Sequence, residues 1–130
     1  MIDIENEVFN TVVNALRAVY GDGISVYGEY VEAPERFPSV SLVEDDNREI
    51  EENKTLARLP ETASQLMYTA NVYSNLASGK KTQAKAIMDI VDDCMRNFGF
   101  TRTMRSQLPN VDRTIYRVTA RYTKVIQIFE

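Results

Sequence analysis

The pattern that most constrains the fold is a one-sided apolar stripe over residues 80–98. Apolar side chains recur there at steps of three and four, which places them on one face of an α-helix. Gly99 follows at the position where a left-handed residue ends many helices. A helix with a single apolar face has to bury that face against another layer of structure. The stripe consists of Ala84, Ile87, Met88, Val91, Met95 and Phe98.

A second helical pattern occupies residues 3–20. Asp3 is expected to cap it, and Glu5 and Glu7 fall in the first turn, where the helix dipole favours negative charge. The segment Gly21-Asp22-Gly23 ends the pattern. Its apolar stripe is Ile4, Val8, Val12, Ala15, Leu16 and Val19.

Apolar and polar residues alternate in five other segments, as they do in half-buried strands. The resulting order is α-β-β-β-α-β-β, which predicts a single α+β domain over residues 1–130. We expect a mainly antiparallel or mixed sheet with both helices packed on one face. Lys124 breaks the alternation of the last strand, so we expect a bulge or a departure from the sheet there. The strand segments are 24–31, 39–45, 65–73, 100–108 and 114–128.

Residues 44–61 carry many acids and no sustained apolar period. This segment is predicted to be a long hairpin arm or a mobile loop. A structureless connection of that length is uncommon in a compact domain and is often functional. Its charge density predicts mobility in the free chain and order after assembly.

The composition argues against most catalytic chemistry. The chain has no histidine and one cysteine, so histidine-based triads, histidine metal sites and internal disulfides are excluded. Cys94 is expected to be a packing residue, and the pair Asp92-Asp93 is expected on an exposed helix face. No apolar run is long enough to span a bilayer. We therefore expect no enzyme activity, no cofactor, no metal and no membrane partner.

Charge is divided along the chain. Residues 1–93 carry 17 acidic and 8 basic residues, a net charge of −9, whereas residues 94–130 carry 2 acidic and 7 basic residues, a net charge of +5. Opposite charges at the two ends suit either ion pairing within the chain or a self-complementary surface in an oligomer. The predicted subunit interface pairs acids with a row of arginines expected on one strand face. These residues are Glu49, Glu51, Glu52, Arg113, Arg117 and Arg121.

The apolar end of the chain is a second candidate contact. It is predicted to dock on a partner if its side chains are exposed. Its residues are Val125, Ile126, Ile128 and Phe129.

Several strings resemble small structural proteins of tailed bacteriophages and phage-tail-like particles, often labelled minor capsid or tail-completion proteins. The first is YVEAPERFPSVSLVE at residues 30–44, and the second is YTANVYSN at residues 68–75, followed by Gly79-Lys80-Lys81. The helix ending in GFTR at residues 99–102 and the segment PN…DRTIYR…ARY at residues 109–122 complete the resemblance. In these features the chain looks like a tail terminator.

That resemblance implies a structural virion protein. Terminators form a hexameric ring that caps the tail tube, ends its polymerisation and offers a neck-side interface. The implied partners are other copies of the chain, the tail-tube protein and possible sheath and neck or head-completion proteins. The implied location is the tail–neck region of the virion, after assembly in the bacterial host cytoplasm.

Two alternatives stay open. The chain could be a head-completion or connector protein of the same neck. It could also belong to another class, a small regulatory or nucleic-acid-binding domain that uses its arginine face. Its acidic balance, with a pI near 4.9, argues against the last, and no sequence-specific nucleic-acid binding is expected.

Overall fold

The computed structural model describes residues 3–31, 34–49, 63–109 and 112–127. Two α-helices and five strands follow one another in the predicted order. They are α1 (Glu5–Tyr20), β1 (Ser25–Tyr27), β2 (Ser39–Glu49), β3 (Ala63–Ser74), α2 (Lys80–Asn97), β4 (Thr101–Leu108) and β5 (Tyr116–Gln127). A short 3₁₀ turn, Gly21–Gly23, follows α1.

The strands form one mixed sheet in the order β1-β2-β3-β5-β4. β1 is parallel to β2, and the other neighbouring pairs are antiparallel. The α+β prediction is confirmed, including the position of both helices. Their apolar stripes share one core cluster with alternate residues of the strands. Both helices therefore lie on one face of the sheet, and the opposite face, which carries no helix among the described residues, is termed the uncovered face.

Most residues that the apolar patterns single out lie in or against the core, but Val19 of the α1 stripe is 64% exposed, so its predicted burial is wrong. Val8, Val12 and Leu16 of α1 are fully buried, as are Ile87 and Met95 of α2. The cluster continues through Tyr68 of β3 and Tyr122 of β5. Tyr68 also meets the ring of Phe100 edge-on, at 5.2 Å between ring centroids. Aromatic pairs with this geometry stabilise a core beyond their buried area alone.

The end of α2 follows the predicted cap. Gly99 has φ +88°, its N–H donates to Arg96 O at 2.8 Å, and the Phe100 N–H donates to Met95 O at 3.0 Å. These two bonds form the Schellman arrangement, which satisfies carbonyl groups that the helix leaves unpaired. The prediction at α1 is displaced by one residue, because the structure places the N-cap at Ile4. The carboxylate of Asp3 nevertheless accepts a hydrogen bond from the Glu5 N–H at 3.1 Å.

The strand boundaries correct several expectations. β1 has three residues, and β2 continues to Glu49, so the described part of the acidic 44–61 segment is one strand of a hairpin with β3. Residues 50–61 lie outside the described residues. The predicted irregularity at Lys124 is wrong, since β5 pairs with β3 in unbroken register up to Gln127. Lys124 Nζ instead donates a hydrogen bond to the Phe98 carbonyl at the end of α2, which lets a charged residue lie on the covered face.

Asp92 is also placed differently from its prediction. It is 7% exposed and accepts a hydrogen bond from the Tyr122 hydroxyl at 3.1 Å. Arg96 and Arg102 approach the same carboxylate at 3.1 and 3.2 Å. The neighbouring Asp93 is exposed, as expected. None of the described helices is long and apolar enough to cross a bilayer.

Candidate interaction surface

The uncovered face of the sheet is the main candidate for function. Since cross-strand partners share a face, the register places Thr119 beside Asn71 and Arg117 beside Tyr73 on this side. A groove of about 500 Å³ crosses it. The walls of the groove combine apolar and polar side chains from four strands and from the loop after β1. Its lining is Tyr30, Val43, Asp45, Met67, Thr69, Asn71, Met104, Leu108, Arg117, Thr119 and Arg121.

A buried polar network fixes the middle of this face. Asn71 is 2% exposed, and its Oδ1 accepts hydrogen bonds from Arg117 Nε at 3.1 Å, Arg117 Nη2 at 3.0 Å and Thr119 Oγ1 at 2.6 Å. Its amide nitrogen lies 3.4 Å from Ser41 Oγ. The Arg117 guanidinium also lies over the Tyr73 ring, 5.6 Å from the ring centroid. The network holds the guanidinium in one position at the surface.

The three arginines of the predicted interface occupy different settings. Arg117 and Arg121 share the uncovered face of β5, as their spacing predicts. Arg113 does not, because it precedes β5 in an exposed turn. Asp112 shapes that turn by accepting hydrogen bonds from the backbone N–H and the hydroxyl of Thr114 at 2.9 and 2.6 Å. Those bonds, the largest influence on this carboxyl, lower the pKa of Asp112.

The acidic half of the predicted interface is described only in part. Glu49 ends β2 and pairs with Ser64 across the hairpin, which places it on the side of the sheet that carries the helices. Glu51 and Glu52 lie outside the described residues. The pairing of these acids with the arginines therefore stays a prediction about contacts between copies of the chain.

The predicted docking tail divides in the same way. Val125 is 51% exposed on the uncovered face, in agreement with the expectation. Ile126 is partly buried and packs against the core, so it does not meet the condition of exposure on which its predicted docking depends. Ile128 and Phe129 lie outside the described residues.

Cys94 has the character of a packing residue. It is buried, and burial, with a smaller effect from Asp93, raises the pKa of its thiol. A raised thiol pKa lowers the thiolate fraction on which cysteine reactivity depends. Among the described residues, no group of three or more acidic or cysteine side chains could hold a metal ion.

Sequence reasoning missed two features of the surface. Asn71 and Tyr73 organise Arg117, but each is an ordinary strand residue until the register is known. Glu44 was grouped with a solvated acidic segment, whereas the structure turns it toward α1, opposite Tyr68. The available signal was the two-residue spacing from Leu42 to Glu44, because alternate residues of a regular strand share a face.

Comparison with solved structures adds an independent observation. The fold is similar to that of a sheath/tube terminator from an extracellular contractile injection system, PVC, determined by cryo-EM in the extended state. The TM-score is 0.51 at 12% sequence identity, and the match covers all of this chain and 58% of that one. No protein-family model and no curated protein sequence matches the chain. At the level of fold, the predicted resemblance to tail terminators is confirmed.

Proposed function

We propose that this chain is a structural subunit of a tail or tail-like particle, a terminator that forms a ring on the last layer of the tail tube. The observation that supports this most strongly is the fold likeness to a sheath/tube terminator over the whole length of the chain. The ring is hexameric, ends tube polymerisation and presents the neck-side surface. The chain acts by binding and has no catalytic role.

The surface chemistry suits such a ring. A closed ring uses two different patches on each subunit, so that each copy binds the next head to tail. The uncovered face offers one patch, with Arg121 exposed beside the apolar wall of the groove. Glu49 at the end of β2, together with Glu51 and Glu52 further along the sequence, supplies the opposite charge for the neighbouring copy. Charge pairs of this kind fix the register of an interface more than they add affinity.

The proposed partners follow from this role. Neighbouring copies form the ring, the tube protein binds one rim, and sheath or neck proteins bind the other surfaces. The subunit is therefore located at the end of the tail in the assembled particle, and assembly takes place in the bacterial cytoplasm.

Tube polymerisation in vitro tests the proposal. Purified chain is added to polymerising tube protein from the same particle, and tube lengths are measured by negative-stain electron microscopy. We expect a ring of six copies by light scattering, a ring density at one tube end and shorter tubes as the chain is added. Unchanged tube lengths without end density would contradict the proposal, and binding only to the connector of a head would favour the head-completion alternative.

A charge reversal tests the interface. Arg121→Glu should leave a folded subunit that assembles poorly. The Arg121 side chain makes no contact with the described residues on which the fold depends. Lys81→Glu, at an exposed position on α2, is the matched control with the same change of charge. Rescue by a partner carrying lysine at 49, 51 and 52 supports the pairing. Assembly of Arg121→Glu at the level of the control, at low and high salt, would disprove it.

A further inference from the structure

A second groove lies on the helix side of the sheet, where the first turn of α1 passes over β1, β2 and β3. Its volume is about 480 Å³. Aromatic side chains form much of its wall, and two acids lie at its margin. The residues that line the groove include Phe9, Tyr27, Tyr68, Glu5 and Glu29.

Two polar atoms beside this groove are buried without a hydrogen-bond partner. Tyr68 is 1% exposed, and its hydroxyl has no partner in the described part of the chain. The same holds for Oε1 of Glu44, which lies directly across the β2–β3 pair from Tyr68. Folded proteins rarely leave buried polar atoms unpaired, because each loses its hydrogen bonds to water without replacement. Two such atoms next to one groove indicate a missing ligand.

The missing ligand is positively charged. Asp3 and Glu5 at the start of α1 and Glu44 on β2 act on the Tyr68 hydroxyl as neighbouring negative groups, and Glu29 lies on the loop beside the groove. No described lysine or arginine forms an ion pair with any of these four acids. Burial, then the adjacent Glu5 and Asp3, raise the pKa of Glu44 to about 7, as expected when carboxylates are close and no cation neutralises them.

The shape of the site selects the kind of cation. The described acids do not gather into a metal-binding group. The unpaired acceptors instead belong to a tyrosine and a glutamate on adjacent strands, in a groove that the ring of Phe9 also lines. A guanidinium provides five N–H donors in a plane and stacks on aromatic rings, so it suits acceptors of different types beside aromatic walls. An ammonium has three donors around a point charge and suits them less well.

We propose that this groove binds an arginine side chain of a neighbouring protein chain. The inference goes beyond the terminator role, because it requires neither a ring nor a tube. The guanidinium donates to Glu44 Oε1 and the Tyr68 hydroxyl, and the Phe9 ring packs against one of its planar faces. Its entry expels the proton that Glu44 retains, so binding is weaker at low pH.

Titration of the isolated full chain at pH 7.5 with N-acetyl-arginine methylamide tests this, followed by ¹⁵N–¹H NMR. We expect saturable shifts at millimolar probe in the amides of residues 5–9 and 27–28. The lysine analogue should bind several-fold more weakly, and the neutral citrulline analogue should not bind. A lysine analogue that binds as tightly, or a citrulline analogue that binds at all, would refute the guanidinium assignment, as would the absence of saturable shifts.

Matched variants locate the site. Glu44→Gln removes the central charge and should weaken arginine binding at least five-fold. Glu7→Gln also removes one negative charge, at an exposed position in the first turn of α1. It should leave binding within two-fold. Glu5→Gln removes a second negative charge of the site. Circular dichroism checks that each variant is folded. Equal binding by the Glu44, Glu5 and Glu7 variants would overturn the proposal while leaving the terminator role untouched.

Discussion

Replacing Asp92 by asparagine tests a buried ionic contact that the structure adds to the predicted core. The carboxylate is 7% exposed and serves three donors: Tyr122 at 3.1 Å, Arg102 at 3.2 Å and Arg96 at 3.1 Å. Asparagine keeps the size of the side chain and removes its charge. In asparagine an NH2 group, which is a hydrogen-bond donor, replaces one of the two carboxylate oxygens. Because this group then faces other donors, at least one of the three contacts becomes unfavourable.

The expected loss of stability is about 2–3 kcal/mol. The buried hydrogen bond from Tyr122 to a charged acceptor accounts for about 1.5–2 kcal/mol of it. The two ion pairs add about 0.5 kcal/mol each, because the side chains of Arg96 and Arg102 are 60% and 33% exposed and water screens such pairs. For a chain of this length the loss corresponds to a fall in Tm of roughly 10 °C.

Urea unfolding at pH 7 measures this loss, and Asp89→Asn is the matched control. Asp89 lies three residues earlier on α2 and pairs with Arg105 at 2.7 Å, but its side chain is 66% exposed. Its replacement should therefore cost less than about 1 kcal/mol. Tyr122→Phe should cost less in the Asp92→Asn background than in the wild type, because both changes remove the same hydrogen bond. Equal costs for the two aspartates would refute the assignment of Asp92 as a buried contact.

Three further outcomes follow from the geometry. Gly99→Ala should lower the free energy of unfolding by about 1 kcal/mol in urea, since φ is +88° and the new Cβ would lie 3.3 Å from Lys124 Nζ. The free energy of unfolding of the isolated chain should fall by roughly 1–2 kcal/mol between pH 4.5 and 7, because Glu44 has a pKa of about 7 in the folded chain but ionises near 4.5 when unfolded. Glu44→Gln should flatten this dependence of stability on pH, and an unchanged slope in that variant would contradict the assignment to Glu44. Asn71→Ala should cost about 2 kcal/mol and free Arg117, with Tm as the measurement and Asn75→Ala, at an exposed turn position, as the control.

Periodicity predicted the layers of this fold well because the core depends on simple spacing. The stripe of α2 and the cap at Gly99 are local features of the sequence, and the structure reproduces both. The alternation in β3 and β5 is equally local, and it places Tyr68 and Tyr122 on the buried face. The order of the strands in the sheet could not be predicted from residue spacing. The parallel pairing of the short β1 with β2 depends on the path of the loop that connects them before Ser39.

Two β-bulges, one in β2 and one in β4, change which face of the sheet the charged residues beyond them take. In a regular strand Arg102 and Arg105, three residues apart, would face opposite sides. The irregularity between Arg102 and Met104 turns both arginines toward α2, where they meet Asp92 and Asp89. The irregularity between Glu44 and Asp46 acts likewise on β2 and reverses the facing of Asp46 and the residues after it. Glu44 precedes it and lies on the helix side by regular alternation from Leu42. A one-residue insertion in a ladder reverses the facing of everything beyond it, and spacing alone gives no sign of it.

The two grooves divide the charges of the molecule by face. The uncovered face holds Arg117 rigidly through Asn71 and leaves Arg121 available, whereas the groove under α1 gathers acids around the unpaired hydroxyl of Tyr68. One patch therefore presents cations and the other accepts them, and they lie on opposite sides of the same sheet. A two-fold dimer would bring like patches together, but a head-to-tail contact brings unlike ones together. The charge distribution of a single subunit thus favours cyclic or stacked assembly, which is the arrangement that the proposed terminator role requires.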